Sequence, residues 1–179
     1  MSNMKPYILI TFSLLLGLAC KSQAQGVDQS KFWLSGGLGK TRFISGMIAA
    51  GYEPGNRNSI IISRYSVDGE LIPALNPGLK TSELGLLYGL KSGKFSFSAG
   101  LSTVWGRFRG KYLYSDPDPL MGSGQYYEVR NYRTVGIPAE IRFITSTKYI
   151  GIGVTAFGNL NDKNSFAGLN ISLYGGRMK

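Results

Sequence analysis

The side chains that could carry chemistry in this chain are few and dispersed. There is no histidine and one cysteine, Cys20, which excludes imidazole metal sites, His-based triads and Cys-His nucleophile pairs. Carboxylate and Ser/Lys chemistry remain. Asp116, Asp118 and Glu128 fall within Gly110 to Asn131, and paired carboxylates can act as general acid and base, but acids in a loop are ordinarily solvated. Gly36-Gly37-Leu38-Gly39-Lys40-Thr41 evokes a phosphate-cradling loop, yet it lacks the G-x-x-x-x-G-K-S/T spacing and no helical pattern follows it. No cofactor, metal or enzymatic activity is therefore expected.

Recognition chemistry is better represented. Gly110 to Asn131 places Tyr112, Tyr114, Tyr126 and Tyr127 around Asp116-Pro117-Asp118-Pro119. Exposed aromatics on a rigid scaffold suit a surface protein or glycan ligand; otherwise they cover the scaffold's mouth. Basic residues number 20 against 10 acidic, a net charge of +10. They are scattered, as in Lys40/Arg42, Arg107/Arg109/Lys111 and Arg177/Lys179, without a nucleic-acid-binding module, so no nucleic-acid partner is expected. Arg42, Arg107, Arg109 and Lys111 lie at predicted external strand ends, where they would meet lipid phosphates.

The elements that must position these groups begin with a targeting segment. Residues 1–24 combine Lys5, an apolar run from Tyr7 to Ala19 and the small-x-small site Ser22-Gln23-Ala24, the pattern of a secretory signal peptide. The run is too short and too interrupted for a membrane-spanning helix. Leu16-Gly17-Leu18-Ala19-Cys20 also resembles a lipoprotein processing site, with lipidation of Cys20 as a lesser alternative. Cleavage after Ala24 would remove Cys20, Lys5 and Lys21, leaving 18 basic and 10 acidic residues and a net charge of +8. The mature chain would enter an oxidising compartment with no disulfide, so a closed fold, a large core or a membrane must hold it.

Residues 25–30 form a short N-terminal segment, and from Lys31 the apolar period is two rather than 3.6. Five segments alternate clearly: Glu83 to Lys91, Phe95 to Trp105, Thr134 to Phe143, Tyr149 to Phe157 and Ser165 to Tyr174. Three more are less regular, at Lys31 to Lys40, Phe43 to Glu53 and Asn58 to Val67. Turn chemistry separates them, as in Glu53-Pro54-Gly55-Asn56 and Lys91-Ser92-Gly93-Lys94. The connections after strands two, four and six are short, whereas Asp68 to Ser82 and Gly110 to Asn131 are long and fall on the opposite side. The expected architecture is all-β: an eight-stranded antiparallel up-and-down transmembrane β-barrel over residues 31–175, followed by a basic tail at 176–179.

Alternation alone does not say which face is the core. In a soluble barrel the aliphatic face points inward, and in a membrane barrel it meets lipid. The second face favours the membrane: Gly85, Gly89, Gly100, Gly136, Gly151, Gly153 and Gly168 would weaken a wet strand surface but leave room inside a narrow barrel. That room suits Arg64, Glu83, Lys91, Glu140 and Arg142, whose opposite signs permit interior ion pairs. Phe32, Trp33, Tyr52, Tyr88, Phe95, Trp105, Phe143 and Tyr149 lie near strand ends, as interfacial aromatic girdles would.

On these residues the chain resembles the small outer-membrane β-barrel proteins of the Bacteroidetes type, and more loosely the eight-stranded OmpA/OmpX class. The resemblance is carried by Lys31-Phe32-Trp33-Leu34-Ser35-Gly36-Gly37-Leu38-Gly39, Ser63-Arg64-Tyr65, Leu84-Gly85-Leu86-Leu87-Tyr88-Gly89, Val135-Gly136-Ile137-Pro138-Ala139-Glu140, Gly151-Ile152-Gly153, Phe157-Gly158-Asn159 and Ser165-Phe166-Ala167-Gly168-Leu169. It implies fold and compartment more than activity. The closing Tyr174-Gly175-Gly176-Arg177-Met178-Lys179 departs from the terminal aromatic residue of many such barrels.

The expected function is that of a monomeric integral protein of the bacterial outer membrane, with a structural, membrane-maintenance or surface-interaction role. Its expected partners are outer-membrane lipid or lipopolysaccharide and a surface protein or glycan. Two alternatives stand beside it: a soluble secreted β-barrel binding a small apolar ligand, and an outer-membrane enzyme using non-His chemistry. The direction of Ile150, Ile152, Val154, Leu169, Ile171 and Leu173 separates the first two.

Overall fold

A computed structural model of the chain describes residues 30–55, 58–119 and 123–178. The proposed signal peptide, with Cys20, lies outside them. Eight strands follow one another: β1 (Lys31–Lys40), β2 (Ile44–Glu53), β3 (Ser59–Gly69), β4 (Lys80–Ser92), β5 (Phe95–Ser115), β6 (Gln125–Ser146), β7 (Ile150–Leu160) and β8 (Phe166–Arg177). Each pairs antiparallel with its sequence neighbours, and β8 closes on β1 to form a barrel without an open edge.

The register fixes the tilt. Following partners from Phe32 through Tyr52, Ile61, Tyr88, Ala99, Ala139, Gly158 and Ala167 leads to β8. There the pairing Lys40↔Leu169, continued two residues, brings Ala167 opposite Arg42, ten residues along from Phe32. A displacement of ten over eight strands corresponds to a tilt of about 40°.

Period two then sorts the side chains. Ile150, Ile152, Val154, Leu169, Ile171 and Leu173 all point outward, with exposures from 45 to 68 %. The opposite face is interior and mostly polar or glycine, as at Ser96, Ser98, Ser102, Thr155, Asn170 and Ser172. Phe95 to Trp105 marks the outward apolar belt on β5; ten residues at about 3.3 Å, tilted by about 40°, give a height of roughly 25 Å. Among the described residues, charged outward positions occur only at the rims, with Lys40, Lys80, Arg107 and Arg133 at the loop end and Arg177 at the turn end.

Three details depart from the sequence reading. Trp33 is fully buried inside the barrel, whereas Phe32, Tyr52, Tyr88, Phe95, Trp105, Phe143 and Tyr149 face outward. Its inward position is possible because its register partner is Gly51, where a Cβ would collide with the indole ring. Gly110 to Asn131 is mostly strand, because β5 and β6 continue past their other neighbours as a hairpin paired as far as Ser115 and Gln125. Finally, β8 runs on through Gly176 and Arg177, paired with Trp33 and Phe32, and Met178 is buried against the interior cluster.

Candidate functional site

The interior below the mouth has two layers. At the turn end Trp33, Ile60, Ile62, Leu87, Tyr174 and Met178 form an apolar cluster, with Trp33 and Tyr174 edge to face at 5.1 Å. Above it lies a fully enclosed ionic layer. Arg64 reaches both oxygens of Glu83 at 2.9 and 2.8 Å through Nη2, and Oε2 of Glu140 at 2.9 Å through Nη1. Arg142 holds Glu140 through Nε and through Nη2, the latter at 3.0 Å.

Neutral groups complete this layer. Ser66 donates to Glu83 at 3.1 Å, Ser98 to Glu140 at 3.2 Å, and Asn159 Nδ2 to Glu83 at 2.7 Å. Arg142 also donates to the Tyr174 hydroxyl at 3.3 Å and sits 5.2 Å over the Trp33 ring, while Arg64 sits 5.4 Å over Phe157. Two guanidiniums thus face two carboxylates, and the layer is electrically balanced. Lys91 lies apart at the turn end, half-buried, where it pairs with Glu53 at 2.7 Å while Trp33 donates to the same carboxylate at 3.3 Å.

The sequence reading named Arg64, Glu83, Lys91, Glu140 and Arg142, but missed Glu53, Asn159 and Tyr174 as partners. In the sequence Glu53 opens the turn motif Glu53-Pro54-Gly55-Asn56, and Asn159 follows the last alternating position of its segment, Phe157. The available signal for Asn159 was Gly136: a Cβ there would overlap the Asn159 carboxamide.

Within the ionic layer the charged groups satisfy one another. Among the described residues, no group of three His, Cys, Asp or Glu side chains converges as a metal site. The Asp116 carboxylate accepts from the Asp118 N–H at 3.0 Å, and Glu128 pairs with Arg130 at 3.3 Å.

The loop end holds the groups suited to recognition. Beyond Arg107 on β5 and Ile137 on β6, the hairpin has no further partner in β4 or β7. Register shifts between Arg109 and Tyr112, and again between Tyr112 and Tyr114, insert extra residues on β5. The second lets adjacent Tyr126 and Tyr127 each meet a tyrosine of the opposing strand. Tyr114 stacks on Tyr126 with centroids 4.7 Å apart, and Tyr112 meets Tyr127 edge to face at 5.6 Å. Tyr112, Leu113 and Tyr114 remain more than half exposed.

The connection at residues 70–79 braces this hairpin. Asn76 bridges beside Tyr126, its N–H donating to Gln125 O at 3.0 Å and its carbonyl accepting from Tyr127 at 2.7 Å. Arg107 Nε donates to Gly78 O at 2.9 Å, and Arg109 grips Glu70 and, at 2.9 Å, Leu75 O. Arg107 and Arg109 are thus partly committed to the protein itself, whereas Arg42 and Lys111 are exposed. The four basic residues do not converge on one point: Arg42 and Arg107 line the barrel mouth, while Arg109 and Lys111 lie further along the hairpin.

This geometry defines the class: a small, closed, eight-stranded antiparallel barrel with a filled interior, an apolar outer belt and a projecting hairpin. No protein-family model and no curated protein sequence matches the chain. Among solved structures it is similar to the N-terminal β-barrel domain of Pseudomonas aeruginosa OprF, at 7 % identity and a TM-score of 0.51, over 83 % of this chain and 99 % of that one. Yersinia pestis outer membrane protein Ail in a phospholipid bilayer nanodisc aligns at 10 % identity and a TM-score of 0.49, over 83 % of this chain and 99 % of that one. Neisserial surface protein A aligns at 12 % identity and a TM-score of 0.44, over 82 % and 94 %. The likeness to the OprF domain is one of fold.

Proposed function

We propose that this chain is an integral barrel of the bacterial outer membrane, exported through its N-terminal signal peptide, that presents the β5–β6 hairpin as a surface-recognition element and performs no catalysis. The observation that carries this reading is the outward apolar belt, roughly 25 Å tall and bounded by basic rims. That height matches the lipid-facing band of outer-membrane barrels, and a closed barrel leaves no backbone group unpaired in hydrocarbon. A soluble barrel with an apolar cavity would instead need the aliphatic faces of β7 and β8 turned inward.

The filled interior favours a scaffold over a diffusion channel, because side chains occupy the lumen from the apolar cluster through the ionic layer. Recognition then falls to the hairpin, where exposed tyrosines supply rigid amphipathic contact area for a protein or glycan at small entropic cost. The rim cations would meet lipid or lipopolysaccharide phosphates.

Two measurements test this. Membranes from expressing cells, washed with high salt and then carbonate, should retain the protein in the pellet until detergent is added; release by either wash refutes the membrane reading. Replacing residues 112–127 by a short Gly-Asn turn should leave barrel folding intact, while abolishing adhesion of expressing cells to an array of immobilised proteins and glycans. Adhesion unchanged by that replacement, or no adhesion above that of non-expressing cells, refutes the recognition role.

A further inference from the structure

The barrel mouth is a cavity of about 410 Å³ with an unequal charge lining. Arg42, Lys80, Arg107 and Lys163 border it at the rim together with one carboxylate, Asp68. Among the described residues, Arg42, Lys80 and Arg107 form no ion pair, and Lys163 meets its exposed neighbour Asp162 at 3.3 Å. Lys80 and Arg107 are direct cross-strand partners. Like charges in that relation repel and weaken a sheet, and an anion placed between them relieves the repulsion.

A second cavity reaches the same rim from outside. On the barrel's outer wall a groove of about 790 Å³ runs over Ala99, Ala139, Ala156, Gly158 and Ala167. Four of these are consecutive register partners, Ala99↔Ala139↔Gly158↔Ala167, so the groove crosses β5 to β8 where the outward side chains are smallest. At about 4.8 Å per strand it is roughly 14 Å long. Tyr88, register partner of Ala99, stands at one end. At the other, Ala167 lines both groove and mouth and faces the continuation of β1 at Arg42.

We propose that this pair of cavities is one binding site for a phosphate-bearing membrane lipid, with an acyl chain in the groove and the anionic headgroup among Arg42, Lys80, Arg107 and Lys163. The groove is almost wholly apolar and open sideways, the environment an acyl chain requires. The mouth supplies the complementary positive charge at the groove's upper end, where a headgroup would emerge. The assignment rests on the membrane placement proposed above, and it adds a defined stoichiometry and a headgroup preference that general solvation by lipid does not predict.

The test is native mass spectrometry of the refolded protein in detergent, titrated separately with dilauroyl phosphatidylglycerol and dilauroyl phosphatidylcholine. One phosphatidylglycerol should be retained per barrel, with at least tenfold weaker retention of phosphatidylcholine. The double variant Arg42→Gln/Lys80→Gln should lose that preference, and Ala139→Phe, which fills the groove, should lower retention of phosphatidylglycerol at least tenfold. Leu173→Phe, on the outer wall away from the groove, should retain it. Ala156→Leu replaces Ala139→Phe if the latter does not refold, as judged by heat-modifiable gel mobility. Equal retention of both lipids, insensitivity to the charge variant, insensitivity to groove filling, or occupation of the groove by a second copy of the chain each overturns the proposal. Because binding is read in micelles and membrane placement by carbonate washing, failure of one is distinguishable from failure of the other.

Discussion

Replacing Glu140 by Gln tests the ionic layer most directly. Glu140 accepts from Arg64, from two nitrogens of Arg142 and from Ser98, and both arginine side chains are closed to solvent. Arg64 keeps its two contacts with Glu83. Arg142 would be left with the Tyr174 hydroxyl and the face of Trp33, and the layer would change from balanced to one uncompensated positive charge. Breaking a buried pair from one side costs about 3–5 kcal/mol, a loss of roughly 150- to 5,000-fold in the folding equilibrium. Urea unfolding of protein refolded into vesicles, followed by heat-modifiable mobility and tryptophan fluorescence, measures it. The double variant Glu140→Gln/Arg142→Met removes one charge of each sign and should recover at least about 1 kcal/mol of the single-variant loss. A loss below about 1 kcal/mol for Glu140→Gln, or a double variant less stable than Glu140→Gln, would refute the charge-balance argument.

Two further outcomes follow from close approaches and exposed charge. Gly136→Ala should destabilise by about 1–3 kcal/mol, because its Cβ would displace Asn159 from Glu83 and from Ser102 at 2.7 Å; Gly36→Ala, with open space around its Cβ, should be neutral or slightly stabilising in the same unfolding assay. Asp162, in the β7–β8 connection, has its carboxyl held below the ordinary value by the hydrogen bond from Thr134 and then by Lys163. A lowered folded-state value contributes stability above the unfolded-state pKa that is lost as pH falls through the folded one. The carboxyl resonance of Asp162 should therefore titrate at higher pH in Thr134→Val than in the parent, and an unchanged midpoint would exclude the Thr134 contribution.

What could be read from sequence divides along physical lines. The clear alternation of β4, β7 and β8 gives both strand and facing, because aliphatic residues dominate one face, whereas the other is mostly glycine or polar with Leu87, Phe157 and Tyr174 among them. In β1, glycine falls on both faces, at Gly36 and at Gly37, so the pattern is too weak to turn Trp33 inward; its side is set by the space that Gly51 leaves on the paired strand, a non-local fact. The hairpin was hidden for a related reason. Past Trp105 no barrel core sorts the side chains, and two register shifts break the period that would have marked Tyr112 to Ser115 as strand.

The distribution of charge links fold to role. Arg64 and Arg142 are matched by Glu83 and Glu140, and Lys91 by Glu53, so these interior and turn-end groups contribute no net charge. Among the described residues the basic excess therefore resides mainly on rims and loops. Rim positions such as Lys40, Lys80 and Arg133 enter no ion pair among the described residues, and the cross-strand neighbours Lys80 and Arg107 are like charges, an arrangement that weakens a sheet. The barrel could close without them. On the outer-membrane reading proposed above, their placement just outside an uncharged belt would set them against an anionic lipid surface, and the tyrosine hairpin would be carried clear of it by strands that outrun the barrel wall.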